Sequence, residues 1–275
     1  MTTHPALTSG NVAVITGGAD GIGLAAAHYY KSIGMKVYLA DIDADKLELA
    51  ARSLGGVPTA ICDVSQMAEM EKLKENVYEQ FGRVDVLMNN AGVARQCGSW
   101  SEYDAWQAIL GVNLWGVING IHAFSSAMIE QGTPGLIINT GSKQGITTPP
   151  GNPAYNVSKA GVKSVTEALQ HSLRNTQGCQ VSAHLLVPGF TYTGMIKAFI
   201  PEKPDGAWTP EQVIDFMVES IARGDFYILC PDNDTSRELD NKRMAWTMGD
   251  LIENRPALSR WHTDFQAEYE KFIEE

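Results

Sequence analysis

The sequence predicts an α/β fold: one doubly wound domain, a seven-stranded parallel sheet with helices on both faces. Three observations predict it. Short runs that are apolar throughout alternate with longer helical stretches, the pattern of a parallel sheet covered on both sides. The 275 residues, 44% of them hydrophobic, suffice for one large core. No repeat or low-complexity linker divides the chain, so residues 1–275 read as a single domain, with a loop segment at about 190–210 and a helical tail at about 235–275.

The elements follow in order. NVAVIT (11–16) is a short apolar strand ended by glycines, and a helix over 22–33 is closed by Gly34. KVYLAD (36–41) is the second strand, followed by a helix at 44–54. PTAICD (58–63) is the third strand, and 65–81 is a long helix with Ser65 as N-cap and Gly82 as its stop. VDVLMNN (84–90) is the fourth strand, 106–128 is mostly helical, and GLIINTGS (135–142) is the fifth strand. A helix behind Pro149, Pro150 and Pro153 runs to Arg174; QVSAHLLVPG (180–189) is the sixth strand and DFYILCPD (225–232) the seventh. Short helices surround a Pro/Gly-rich loop after Gly189, and the tail from Thr235 is helical with a break near Pro256.

Composition excludes several functions. Lys plus Arg total 21 against 32 Asp plus Glu, a net charge of −11, which disfavours nucleic acid and anionic membrane as partners. No run approaches the roughly 18 consecutive apolar residues of a membrane span. MTTHPALTSG has no basic segment ahead of an apolar core, so no secretory signal is expected. Cys62, Cys97, Cys179 and Cys230 are scattered without a Cys-x-x-Cys pair, and the six histidines show no ligand spacing. No metal is expected, and a reducing cytoplasm is.

The first strand runs into TGGADGIG (16–23), which opens a helix. Gly17, Gly21 and Gly23 allow a tight turn and close approach of a pyrophosphate, which the helix N-terminus attracts. Asp20 and Ile22 belong to the same turn. Asp41 ends the second strand, 24 residues after Gly17, where a carboxylate can accept ribose hydroxyls and repel a 2′-phosphate. No Lys or Arg lies at 18–22 or 42–45, so NAD is expected over NADP. Asp63 and Val64 are placed at the adenine edge, and Asn90, Ala91 and Gly92 of NNAG where the cofactor crosses the sheet. These motifs and Ser142 all fall at the carboxyl ends of strands, where ligands of a Rossmann-like sheet bind.

NPAYNVSKAG (152–161) puts Tyr155 and Lys159 four apart, on one face of a helix. With TGGADGIG, Asp41, NNAG, Asn113, Ser142, YNVSK and PGFTYT, residues 8–195 resemble the short-chain dehydrogenase/reductase family. The resemblance implies a catalytic set of Asn113, Ser142, Tyr155 and Lys159, with none missing. A phenol with a pKa near 10 is a poor base at neutral pH; a neighbouring ammonium should lower it. Tyr155 is thus the expected general acid/base, Lys159 its electrostatic partner and ribose ligand, and Ser142 the donor that fixes the substrate oxygen. Asn113 resembles the residue that distorts its helix to hold a proton-relaying water. Pro188, Gly189, Phe190, Thr191 and Thr193 resemble the segment that clamps the nicotinamide carboxamide, with the Phe190 backbone and the Thr193 hydroxyl in contact and Thr191 as competitor.

The expected reaction is hydride transfer between a secondary alcohol and NAD, running toward the ketone. Val93, Gln144, Ile146, Met195, Ile196, Phe199 and Trp208 outline an apolar pocket for a hydrophobic or aromatic alcohol, with Trp208 behind a PEKPDG lid; Lys143 or Arg95 would instead meet a carboxylate. The loop around Ser142 and the tail look similar to a bacterial subgroup that includes the Cα-dehydrogenases of lignin-type aryl ethers. Alternatives are an NADP-dependent ketone reductase, a non-catalytic NAD-binding scaffold, and an extended-type epimerase, for which the chain after Tyr192 is short. A homotetramer or homodimer is expected, through the stripe Val157, Gly161, Val165, Ala168 and Leu169.

Overall fold

Val12–Thr16, apolar up to its last residue, forms β1 and is buried at every position. The computed structural model, which describes residues 3–197 and 200–275, places β1 inside a seven-stranded sheet. The other strands are β2 (Lys36–Asp41), β3 (Thr59–Ile61), β4 (Val86–Asn89), β5 (Gly135–Thr140), β6 (Val181–Val187) and β7 (Tyr227–Leu229), in the order β3-β2-β1-β4-β5-β6-β7 and all parallel. The order reverses between β1 and β4, so a crevice opens there at the carboxyl ends.

Helices α1 (Gly21–Ser32) and α9 (Pro210–Arg223) cover one face, where Ala26, Tyr30, Val213 and Met217 meet Ile15 and Met88. Helices α3 (Met67–Phe81) and α5 (Gly116–Glu130) cover the other, where Leu73, Phe124 and Met128 meet Val14 and Leu87. Between them in the chain lie α2 (Ala44–Ser53) and α4 (Tyr103–Leu110). A π-helical segment, Gly111–Trp115, joins α4 to α5. The resulting Tyr103–Glu130 helix is long and apolar enough to cross a membrane. Here its inner face is fixed in the core by Val117, Phe124 and Met128.

After β5 come α6 (Gln144–Thr147) and α7 (Pro153–Asn175); after β6, α8 (Gly194–Lys197). The tail forms α10 (Arg237–Ile252), two 3-10 turns at Ser259–Trp261 and Thr263–Phe265, and α11 (Gln266–Glu274). It builds a small core of its own: Trp246 meets Tyr269 edge-on and Phe272 at a tilt, and the Arg255 guanidinium lies 4.0 Å from the centre of the Trp246 ring.

One cap differs from expectation. Ser65 does not cap α3, which begins at Met67 with no side-chain bond from its cap Gln66. Asp63 takes the turn instead, its Oδ1 accepting the Ser65 N–H at 3.0 Å. The aspartate turn draws Ser65 into the bend before the helix, so the helix starts two residues later.

Candidate active site

The glycine turn is built by contacts that exclude side chains. Gly17 has φ +62°, and a Cβ there would lie 2.7 Å from Ala91 Cα. A Cβ on Gly23 would overlap the Gly17 carbonyl oxygen. Asn90 locks the turn to β4 by donating to the carbonyls of Thr16 (3.3 Å) and Gly17 (3.2 Å). Asp41 accepts the Ala19 N–H through one oxygen and the Asp43 N–H through the other, each at 3.1 Å. Each oxygen keeps a lone pair for a hydroxyl.

Asp20 caps α1, accepting the Gly21 N–H at 2.6 Å. Lys46, one residue beyond 42–45, sits 3.6 Å from Asp20 and 3.8 Å from Asp43 rather than on Asp41. Thr193 packs over Gly21, at the edge of a cleft of about 370 Å³ lined by Asp20, Gly21, His28, Tyr192 and Lys197. Ile22 and Val64 point into the two faces of the core, so Val64 offers a ligand only its backbone, whereas Asp63 is half-exposed.

Four residues of the proposed catalytic set meet at the ends of β4, β5 and α7. Asn152 caps α7, accepting the Tyr155 N–H at 3.3 Å, and Pro153 opens it. Tyr155 and Lys159 thereby fall in its first two turns. The Lys159 ammonium, 4% exposed, donates to the Thr140 carbonyl at 2.8 Å. Burial holds its pKa down at about 8. Burial also raises the Tyr155 phenol above its ordinary value, and a hydrogen bond with Ser142 pulls it back only in part. Burial is thus the largest influence on the phenol, and it acts against the lowering expected from a neighbouring ammonium.

Asn113 sits at the middle of the π segment and is 0% exposed. Its Oδ1 accepts the Val93 N–H at 2.7 Å, and its Nδ2 donates to Val93 O at 3.0 Å and Ser158 Oγ at 3.3 Å. The side chain therefore pins the NNAG loop to α7. A relay of protons would have to use the backbone that the π segment frees.

The segment after β6 differs from expectation. The Phe190 N–H is engaged by Asp232 Oδ2 (3.1 Å) and its carbonyl by the Trp208 N–H (2.8 Å). Its backbone is therefore not free to hold a carboxamide. Thr191 is buried and donates to the Gly189 carbonyl at 3.2 Å, which leaves Thr193 as the better placed hydroxyl.

The residues of the pocket outline have these surroundings. Trp208, half-buried, packs against the core edge-on to Phe216, and Ile146, half-buried, packs against Val187 and Leu229. Lys143 is tied to Asp232 and Asp240 and cannot meet a substrate carboxylate. Phe199 lies outside the described residues. The apolar side chains packed with Tyr155 are Val93, Cys97, Trp106, Ile109 and Ala154, of which Cys97, Ile109 and Ala154 are buried and Val93 and Trp106 half-exposed. Val93 was in the sequence outline; the others were not, because local spacing does not tell which apolar residues of α4, of α7 and of the loop before α4 turn toward one another.

Comparison with known proteins agrees with this geometry. The family model for short chain dehydrogenases matches residues 11–204. The chain is 30% identical over 259 residues, 90% of its length and 93% of the relative's, to a 1-deoxy-11-beta-hydroxypentalenate dehydrogenase of Streptomyces exfoliatus. A short-chain dehydrogenase/reductase of Burkholderia phymatum, solved with NAD, superposes with a TM-score of 0.82 at 32% identity, covering 90% of this chain and 96% of that one. The apo form of LigD from Sphingobium sp. strain SYK-6 superposes at 0.75 with 25% identity, covering 90% and 98%. With its Tyr155–Lys159 pair beside Ser142 and its glycine turn on a seven-stranded parallel sheet, the chain belongs to the short-chain dehydrogenase/reductase family of oxidoreductases.

Proposed function

We propose that this oxidoreductase transfers hydride between a hydrophobic or aromatic secondary alcohol and NAD, with Tyr155 as general acid/base. The observation that carries the reading is the meeting of Ser142, Tyr155 and Lys159 beside a glycine turn anchored by Asp41. NAD, when bound, supplies the hydride acceptor and a positive ring. The protein's part is to bind and orient. Asp41 holds the adenosine ribose, Lys159 the second ribose, and Thr193 the carboxamide. Ser142 donates to the substrate oxygen and keeps it in reach of Tyr155. Tyr155 takes the hydroxyl proton as hydride leaves the same carbon.

NAD is favoured because the Asp41 carboxylate repels a 2′-phosphate, and because the Burkholderia phymatum neighbour was solved with NAD. Oxidation is the favoured direction with a cofactor that cells keep mostly oxidised. Val93 and Trp106, apolar and half-exposed in the cluster that packs with Tyr155, favour an aromatic or long-chain substituent, since burial contributes roughly 25 cal/mol per Å².

The test is a panel of secondary alcohols and ketones, followed by cofactor absorbance with NAD and NADP in parallel. A 1-aryl alcohol is expected to exceed 2-propanol in kcat/KM by roughly tenfold or more. Tyr155→Phe is expected to lower turnover about a hundredfold with NAD binding nearly unchanged. Preference for NADP, or a phenylalanine variant keeping more than about a tenth of turnover, would overturn the reading.

A further inference from the structure

Lys143 follows Ser142 but does not share its surroundings. Its ammonium lies 3.1 Å from Asp232 Oδ2 and 2.7 Å from Asp240 Oδ2, with all three side chains largely buried. Asp232 follows β7, and Asp240 stands in the first turn of α10. The same Asp232 oxygen accepts the Phe190 N–H. Gly189 passes directly over the cluster: a Cβ there would come 2.6 Å from Asp232 Oδ2 and 3.0 Å from Lys143 Nζ. One ammonium thus joins three segments distant in sequence: the Ser142 turn, the 188–193 segment and the C-terminal tail. Arg243, from α10, also faces Asp240 and donates to Thr235 Oγ1 at 3.2 Å.

Two carboxylates around one buried ammonium form a stiff arrangement. Removing the ammonium leaves like charges facing each other in low dielectric, and they must move apart. Asp232 cannot move without its Phe190 bond.

We propose that Lys143 is a positioning residue, which holds the 188–193 segment in register with Ser142 and Tyr155 and ties the C-terminal helix to that register through Asp240. This rests on the NAD-dependent reading above, because the 188–193 segment is assigned there to the nicotinamide end of the cofactor. The Lys143 ammonium pairs with Asp232 and Asp240, and its ion pairs do not include Asp41 or Asp20 of the glycine turn, the groups to which that reading assigns the adenosine end.

That division supplies the test. NAD carries the nicotinamide end; ADP-ribose lacks it. Binding of both is measured by calorimetry for the wild type, Lys143→Met, Asp240→Asn and the double variant. Lys143→Met is expected to weaken NAD by roughly tenfold and kcat by up to about a hundredfold, through misplacement of the reacting groups, while ADP-ribose changes less than about twofold. Asp240→Asn keeps the Lys143–Asp232 pair and should shift the NAD to ADP-ribose ratio in the same direction by less. The double variant, relieved of like-charge repulsion, should recover part of the loss of Lys143→Met. An unchanged ratio in both single variants, or equal weakening of both ligands, would overturn the proposal. A wild type that binds NAD tighter than ADP-ribose but turns over no alcohol would sink the activity reading and leave the positioning test readable.

Discussion

At the residue scale, Lys159 shows what the site costs the fold. Its pKa falls from 10.5 to about 8 through burial. Below pH 8 both folded and unfolded chains carry the proton, and the penalty is complete. Between 8 and 10.5 the folded chain releases it first, so the penalty shrinks as pH rises. The span corresponds to about 3 kcal/mol. Lys159→Met, inactive, should therefore gain stability relative to wild type most at pH 7 and progressively less toward pH 10, in denaturant unfolding. A difference that stays flat with pH would show that no buried ammonium is there. Ser142 is tested through the pH profile. Its hydrogen bond pulls the Tyr155 phenol down against burial, so Ser142→Ala should move the rising limb of kcat/KM to higher pH, besides lowering it. A limb that stays in place would deny the bond. Asp41 and the three glycines were legible from local spacing, whereas the four-residue spacing of Tyr155 and Lys159 took its meaning from the family resemblance of the motifs around it. Lys143 was not legible: its partner Asp232 is 89 positions away, and nothing local distinguishes it from an exposed lysine.

At the element scale, the π segment decides how the NNAG loop is held. One extra residue in the turn rotates Asn113 inward, where its amide satisfies both backbone groups of Val93. Asn113→Leu would leave that N–H and carbonyl buried without partners, at about 1–3 kcal/mol each. Asn113→Asp keeps the acceptor and should lose less. Thermal unfolding in which both variants match wild type would show that the loop is held otherwise. The sequence marks 106–128 as helical, but a π segment leaves the same hydrophobic pattern and shows only in the backbone. Strand existence was legible throughout; strand ends were not. The expected 58–63 and 84–90 strands shorten to 59–61 and 86–89: Pro58, Cys62 and Asp85 still bond to the backbone of neighbouring strands, whereas the N–H groups of Asp63, Val84 and Asn90 turn to side chains.

At the scale of the whole molecule, the outer surface of α7 argues for self-association. The stripe read from the sequence divides in two. Gly161 is spent inside the chain, since a Cβ there would lie 2.8 Å from Leu114 Cδ1, and Leu169 packs against the core. What faces outward is Val157, 47% exposed, with Ala168 exposed and Val165 half-exposed further along, and with Trp115, 55% exposed, on the π segment that Gly161 and Leu114 draw against α7. Two apolar side chains on adjacent elements, at the outer side of the helix that carries Tyr155 and Lys159, suit a two-fold contact in which α7 meets its own copy. Such a contact would stiffen the helix that holds the catalytic pair. A charge at Leu169 would injure the fold itself, so the informative change is Val157→Asp, which opens no internal cavity. Light scattering should give a dimer or tetramer for the wild type and a shift toward the 29.9 kDa monomer for the variant, with circular dichroism unchanged. A wild type at 29.9 kDa, or a variant that assembles as well as the wild type, would remove α7 as the interface.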